Sequence, residues 1–177
     1  MFLKAQAPLS ILVAFFTITA ACTNEAVERR LSLSPAAYGP VKVGMSVAEA
    51  SSVLGTSLSP GYELSEDDIY CHYVYPAGQA NKVHFMVEEG LISRIDVVGE
   101  GVSTTEDISI GSTGSEVSMT YGDRLRIEPH KYSGPEGKYY IVAGPSGYEY
   151  VFEVIDNRVV EFRSGKYPSV EYVEGCL

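Results

Sequence analysis

The chain has 177 residues and a formal net charge of −10, with 23 Asp and Glu side chains against 13 Lys and Arg. A surface this acidic repels phosphate backbones, and no cluster of Lys and Arg offsets it, so we do not expect nucleic-acid binding. Beyond an apolar N-terminal segment about 155 residues remain, which is enough for one domain with a hydrophobic core.

Residues 1–21 have the layout of a secretory signal peptide. Lys4 stands near the start, and an uncharged apolar run extends from Pro8 to Ala21. This run is shorter than the roughly 20 apolar residues that a transmembrane helix needs. It leads into residues 19–22, Thr-Ala-Ala-Cys, which resemble the lipobox of bacterial lipoproteins. In that motif the Cys thiol is acylated and becomes the mature N-terminus.

The lipobox resemblance implies that Cys22 is lipidated and holds the chain at a bacterial membrane. Thr23 replaces the Asp that retains many lipoproteins at the inner membrane, so the resemblance favours an outer-membrane lipoprotein facing the periplasm. Residues 22–38 would form a flexible tether. Thr19 departs from the motif, which prefers an aliphatic residue there. Two alternatives stay open: cleavage by a general signal peptidase, giving a soluble periplasmic or secreted protein, and an uncleaved N-terminal anchor.

Three cysteines are present, at Cys22, Cys71 and Cys176. If Cys22 carries lipid, the other two form an even pair in an oxidising compartment, which predicts a disulfide. Such a bridge would close a loop of about a hundred residues, and loop-entropy models put its contribution at about 4–5 kcal/mol. It would also fasten the C-terminus. The alternative is two separate buried thiols.

Residues 43–50 match residues 110–117 at an offset of 67 residues. Both segments have an aliphatic residue and Gly, then Ser or Thr, and then Glu followed by Ala or Val. Further matches at this offset continue through the following segments without a net gap. So many coincidences at one offset predict a tandem repeat, with units at 39–106 and 107–177 that together form one domain.

Each predicted unit has a helix followed by strands. The Ser46/Glu49 and Thr113/Glu116 pairs are capping boxes, which begin helices, and Gly55 and Gly122 suit left-handed helix ends. After each helix the apolar period changes to two residues, which is typical of strands joined by short turns. The predicted strands lie at 69–75, 83–88, 91–98, 138–143, 150–154 and 158–164, with two-residue turns at 89–90 and 156–157. The predicted fold class is therefore α+β, as two tandem helix-plus-antiparallel-meander units.

The repeated motif, followed by a helix that ends in Gly and by a meander, resembles the BamE/SmpA-OmlA group of small outer-membrane lipoproteins. Two such units in tandem resemble the β-lactamase-inhibitor-protein fold. The resemblance covers about 39–99 and 107–173. Both groups act by protein–protein contact, so it implies a non-enzymatic lipoprotein that binds an unidentified envelope protein, as an assembly factor, scaffold or enzyme inhibitor. The binding residues of these two groups cannot be matched one by one to residues of this sequence.

The sequence offers little catalytic chemistry. No two of His72, His84 and His130 have the spacing of metal ligands, and no nucleophile, phosphate or dinucleotide motif is present. We therefore predict no catalytic residue, no metal site and no cofactor.

Two features are candidates for binding. The second unit is rich in tyrosine, a residue favoured at interfaces and also in strands. The sheet face away from the helices should carry mixed charge, and such a face is solvated by default. With the irregular loop at 128–135, these features give the candidate partner-binding residues His130, Tyr132, Tyr139, Tyr148, Arg94, Glu161 and Arg163. The alternative function is a small-ligand or glycan-binding periplasmic module that uses the tyrosine-rich face.

Overall fold

The structure is a computed structural model that describes residues 31–80 and 82–176. The predicted signal peptide and Cys22 lie outside these ranges. In chain order the helices and strands are β1 (Leu33–Ser34), β2 (Ala37–Tyr38), β3 (Val41–Lys42), α1 (Val47–Leu54), β4 (Leu58–Ser59), β5 (Cys71–Pro76), β6 (Val83–Glu88), β7 (Leu91–Val97), α2 (Gly114–Tyr121), β8 (Leu125–Pro129), β9 (Gly137–Ala143), β10 (Tyr148–Ile155) and β11 (Arg158–Lys166). Within the described part of the chain, no helix has the length and apolar character needed to cross a membrane.

Both helices begin at the predicted capping boxes. The Ser46 hydroxyl accepts from the Glu49 N–H, and the Glu49 carboxylate accepts from the Ser46 N–H at 2.9 Å. Thr113 and Glu116 repeat the arrangement at the start of α2, where the second bond is 2.6 Å. Helix α1 ends at Gly55, whose φ of 72° and ψ of 18° are left-handed as predicted. Gly122 at the end of α2 has a φ of 52° but a ψ of −127°, so the predicted left-handed helix end is wrong there. The two capping boxes and the Gly55 helix end are therefore confirmed, and each depends on only a few neighbouring residues.

The glycine that precedes each capping box has a structural reason. Gly44 and Gly111 have φ values of 94° and 91°, a region that side chains with a Cβ rarely adopt. This conformation aims their N–H groups at the strands that return along the sheet. Gly44 donates to the carbonyl of Ile92 at 2.7 Å, and Gly111 donates to that of Val159 at 2.8 Å. The motif therefore ties each helix start to a strand.

The two-residue hairpin turns are also where the sequence predicted them. Glu89 and Gly90 join β6 to β7, and Asp156 and Asn157 join β10 to β11. All four residues have positive φ, which Gly, Asn and Asp tolerate best. The antiparallel hairpins on either side follow from these turns.

Eight strands form one antiparallel sheet in the order β4-β5-β6-β7-β11-β10-β9-β8, beside a small sheet of β1, β2 and β3. At its centre β7 pairs with β11, with Asp96 opposite Arg163 and Arg94 opposite Gly165. A Cβ on Gly165 would lie 2.7 Å from the carbonyl oxygen of Ser93, so only glycine fits this junction without a backbone shift.

The predicted fold class is wrong. The chain does not form two helix-plus-meander units of α+β type, because the β7–β11 pairing merges all the long strands into one continuous sheet. The helices are short, at eight residues each, and the fold is mostly β. An alternating strand pattern indicates which face of a strand is buried, but it does not indicate which strand lies alongside.

The predicted tether, residues 22–38, is too long at its C-terminal end. Leu33 is fully buried and Tyr38 is 2 % exposed. Leu33 donates its N–H to the carbonyl of Ser103 at 2.9 Å, and the Tyr150 hydroxyl donates to the carbonyl of Leu33 at 2.8 Å. Residues 33–38 therefore belong to the domain.

The main core lies between the helices and one face of the large sheet. Ala50 of α1 and Val117 of α2 are buried in the same cluster as Phe85, Phe152 and Phe162 from the strands. The rings of Phe152 and Phe162 stack at a centroid distance of 5.6 Å. The opposite face of the sheet carries the charged residues predicted to bind a partner, which are Arg94, Glu161 and Arg163.

Candidate functional site

The end of the chain covers the centre of the sheet face opposite the main core. Residues 167–176, called here the C-terminal strap, follow β11 and contact β7, β10 and β11. Val170 in the strap is fully buried and packs with Tyr139, Ile141 and Val151. The prediction that this face is solvated is therefore wrong at its centre.

A disulfide joins the strap to the sheet. Cys71 on β5 is bonded to Cys176 near the end of the chain, with a Cα–Cα distance of 5.3 Å. This confirms the predicted pairing. The strap is thereby fixed at both ends, by its continuity with β11 and by the bridge to β5.

Arg94, a predicted partner-binding residue, binds the strap instead. Its side chain is 5 % exposed and forms a two-point ion pair with Asp96, at 3.0 Å from Nε and 2.9 Å from Nη2. Nη1 donates to the carbonyl of Tyr172 at 2.6 Å, and Nη2 donates to the Tyr73 hydroxyl at 2.8 Å. Burial, together with the Asp96 charge, raises the pKa of Tyr73 to about 12, so this phenol stays neutral. A buried guanidinium needs such a complete set of acceptors.

Arg163 binds the strap in the same way. Its Nε donates to the carbonyl of Val170 at 2.8 Å, and Nη1 donates to Glu153 at 2.6 Å. Burial alone would raise the pKa of Glu153, but the hydrogen bond and charge of Arg163 lower it below its usual value, with a smaller contribution from His130. Burial raises the pKa of Glu161, and repulsion from Glu153 raises it further. The two arginines therefore neutralise a buried acidic face and hold the strap by its backbone.

His130 organises the loop that follows β8. Its Nδ1 accepts the backbone N–H groups of Tyr132 and Ser133, both at 3.1 Å, and its Nε2 lies 3.1 Å from Glu153. The ring stacks on Tyr139 at a centroid distance of 4.4 Å. Because both ring nitrogens are engaged, His130 has no free lone pair for a metal ion or for proton abstraction.

The predicted partner-binding residues thus differ in accessibility. Arg94, Tyr139 and Arg163 are buried, His130, Tyr148 and Glu161 are half-buried, and Tyr132 is 63 % exposed. A partner could reach Arg94 and Arg163 only if the strap left the sheet.

Three carboxylates surround Arg126 where the strap passes β8 and β10. Arg126 contacts Glu128 and Glu171 and lies 3.8 Å from Glu149. Burial and the negative charge of Glu171 raise the pKa of Glu149 to about 7. Glu149 therefore carries a proton in a large fraction of molecules at neutral pH, and this relieves its repulsion with Glu171.

Exposed apolar and acidic side chains alternate irregularly in one segment between β4 and β5. This segment, residues 62–70, is called here the acidic–apolar segment. Its four large apolar side chains are 40–73 % exposed, and they are Tyr62, Leu64, Ile69 and Tyr70. Its four acidic residues are Glu63, Glu66, Asp67 and Asp68, and no Lys or Arg occurs between Lys42 and Lys82. The segment therefore combines apolar exposure with uncompensated negative charge.

Hydrogen bonds within the acidic–apolar segment give it a defined shape. Asp68 accepts from the Ser65 N–H at 2.8 Å and from the Ser65 hydroxyl at 2.6 Å. These bonds lower the pKa of Asp68. The partner-binding residues predicted from the sequence do not include this segment. The signal that could have found it is the long interval without Lys or Arg.

A cleft of about 1060 Å³ lies beside the small sheet. Lys82, Thr105 and Asp107 contribute polar groups to its wall, and its one tyrosine, Tyr38, is 2 % exposed. The cleft is therefore not the tyrosine-rich surface expected of a small-ligand module. Among residues 31–80 and 82–176, no three His, Cys, Asp or Glu side chains are grouped to hold a metal ion.

The architecture defines a mostly β protein with one large antiparallel sheet. No family model and no curated protein matches the chain. The chain is similar in structure to the uncharacterized protein YfeY from Escherichia coli, with a TM-score of 0.52 and 14 % sequence identity. The match covers 76 % of this chain and 99 % of YfeY. At this identity the likeness shows the fold alone.

Proposed function

We propose that this protein is a non-enzymatic lipoprotein of the bacterial cell envelope that binds another protein through its acidic–apolar segment. The observation that carries the proposal is the exposure of Tyr62, Leu64, Ile69 and Tyr70 within nine residues of chain. Single exposed apolar side chains are ordinary on a protein surface, whereas a contiguous group rimmed by polar residues marks an interaction site.

The envelope location rests on three features. The N-terminal segment has the layout of a signal peptide, and Cys22 follows it in a lipobox-like context. The Cys71–Cys176 disulfide fits an oxidising compartment. The resemblance of the repeated motif to the BamE/SmpA-OmlA lipoproteins supports the same assignment and a role in assembly.

The partner should present Lys or Arg beside apolar side chains. Acidic groups on the segment would steer a cationic partner and fix its orientation, while the tyrosines and Ile69 would supply the buried contact area. Because Glu63, Glu66 and Asp67 are exposed, added salt should slow association more than it speeds dissociation.

The test is capture from envelope extract followed by titration of the purified captured protein. A triple variant, Tyr62→Ser with Ile69→Ser and Tyr70→Ser, should weaken the dissociation constant by about tenfold or more, since buried aromatic anchors dominate binding energy. The control, Tyr132→Ser with Tyr167→Ser, removes equally exposed tyrosines elsewhere and should bind normally.

A charge variant separates the two contributions. Glu66→Lys with Asp67→Lys should reduce the association rate and weaken its dependence on salt. Normal affinity in both segment variants, or an equal loss in the control, would show that the partner binds elsewhere.

A further inference from the structure

Strand β8 ends the large sheet opposite the β4 edge, and no strand within residues 31–80 and 82–176 pairs with its outer side. Four of its five residues are exposed, and Ile127, its central residue, is 49 % exposed. An edge strand of this kind offers backbone groups to a further strand. The acidic–apolar segment lies near the opposite edge, between β4 and β5, so the two surfaces are separate.

The backbone groups of Ile127 point outward. Just beyond β8, the His130 N–H donates to the carbonyl of Gly137 on β9 at 3.0 Å. Residues that bond to the neighbouring strand alternate along an antiparallel pair, so Glu128 and Arg126 bond to β9 while Ile127 does not. Pro129 fits this alternation, because its missing N–H also lies on the outer side and costs the β8–β9 pairing nothing.

The charges on β8 are arranged symmetrically about Ile127. Arg126 precedes it and Glu128 follows it, and both side chains lie on the strap-covered face. In an antiparallel pairing of two β8 strands centred on Ile127, Arg126 of each copy faces Glu128 of the other. Both cross-strand pairs are then attractive. The two Ile127 side chains meet on the opposite face.

We propose that β8 pairs with β8 of a second copy of this chain, antiparallel and centred on Ile127. The two eight-stranded sheets then continue across a two-fold axis. At the axis each Ile127 N–H donates to the other Ile127 carbonyl. The Leu125 N–H already donates to the Gly122 carbonyl and is not available to the second copy, and Pro129 has no N–H. The ladder of backbone hydrogen bonds between the two copies is therefore short. With a net charge of −10 on each chain, the dimer is weak and depends on concentration.

The test is sedimentation equilibrium of the purified chain at protein concentrations rising to the millimolar range. The native chain should show a monomer–dimer equilibrium. Ile127→Pro removes the outward N–H without touching a bond to β9, so it should keep its thermal midpoint while its dimer dissociation constant weakens by about tenfold or more. A native chain that stays monomeric at every concentration would overturn the proposal, as would unchanged dimerisation of a folded Ile127→Pro variant.

A charge exchange supplies the second measurement. Glu128→Lys places like charges opposite Arg126 at both contacts and should abolish the dimer, whereas Glu136→Lys makes the same charge change off the strand and should not weaken it. Mixing Glu128→Lys chains with Arg126→Glu chains restores two attractive pairs, so a mixed dimer should form in preference to either parent dimer. Equal dimerisation by the Glu128→Lys and Glu136→Lys variants would refute the register.

Discussion

Truncation of Val170 tests how tightly the strap is packed on the sheet. Val170 is fully buried against Tyr139, Ile141 and Val151. Val170→Ala removes two buried carbon atoms, each worth about 0.8 kcal/mol of transfer free energy, and leaves a small cavity. We expect the free energy of unfolding to fall by about 2 kcal/mol.

The disulfide should control how much of this loss is measured. In the intact protein the strap is held at both ends, so loss of its packing destabilises the whole fold. Without the bridge, the strap can detach at the cost of its own contacts alone, and this limits the effect of truncation. Val170→Ala should therefore cost less in a Cys71→Ser, Cys176→Ser background, so the combined variant should lose less stability than the sum of the two separate losses.

Urea unfolding followed by far-ultraviolet circular dichroism measures all four members of the cycle. Val160→Ala is the control, since Val160 on β11 is 40 % exposed and its truncation should change stability by no more than about 0.5 kcal/mol. The reasoning is refuted if Val170→Ala and Val160→Ala cost the same, or if the loss at Val170 is as large without the disulfide as with it.

Three further predictions concern other parts of the fold. The pKa of Glu149, about 7 against an ordinary 4.5, means that the folded state binds this proton more tightly, so stability falls as pH rises from about 4.5 to about 7. Glu149→Gln should remove that slope in urea titrations and stabilise the protein above pH 7 by on the order of 1 kcal/mol, since solvent screens a group that is only partly buried. Gly165→Ala should lower stability by about 2 kcal/mol or more in thermal unfolding, since its Cβ would meet the Ser93 carbonyl at 2.7 Å, whereas Gly61→Ala should be nearly neutral. Ser46→Ala removes a helix cap and should cost about 1 kcal/mol by the same measurement.

Local chemistry explains the predictions that the structure confirms. A capping box needs only a hydroxyl and a carboxylate three residues apart, as at Ser46 and Glu49. A two-residue turn needs residues that accept positive φ, as at Asp156 and Asn157. Neither depends on the rest of the fold, so a single sequence is enough to predict them.

The pairing of β7 with β11 has no comparable local signal. Both strands alternate polar and apolar residues, and this pattern fits a strand inside a four-stranded meander as well as one inside an eight-stranded sheet. The only local trace is Gly165, which permits close approach to Ser93. A glycine within a strand pattern also fits a bulge or a bend, so it could not identify the partner strand.

Burial of the arginine face follows from the disulfide together with the strand order, but not from the disulfide alone. Side chains alternate between the two faces of β5, so Cys71 lies on the same face as Tyr73 and on the face opposite Val74. Arg94 shares the face of Cys71 and Tyr73. Strand β11 ends at Lys166, and three strand spacings, about 14 Å, separate it from β5. A segment that joins Lys166 to a bridge with Cys71 must therefore cross β7 and β6 on this face. The predicted disulfide and the predicted solvated face were incompatible once these strands were neighbours, and the disulfide is the prediction that the structure confirms.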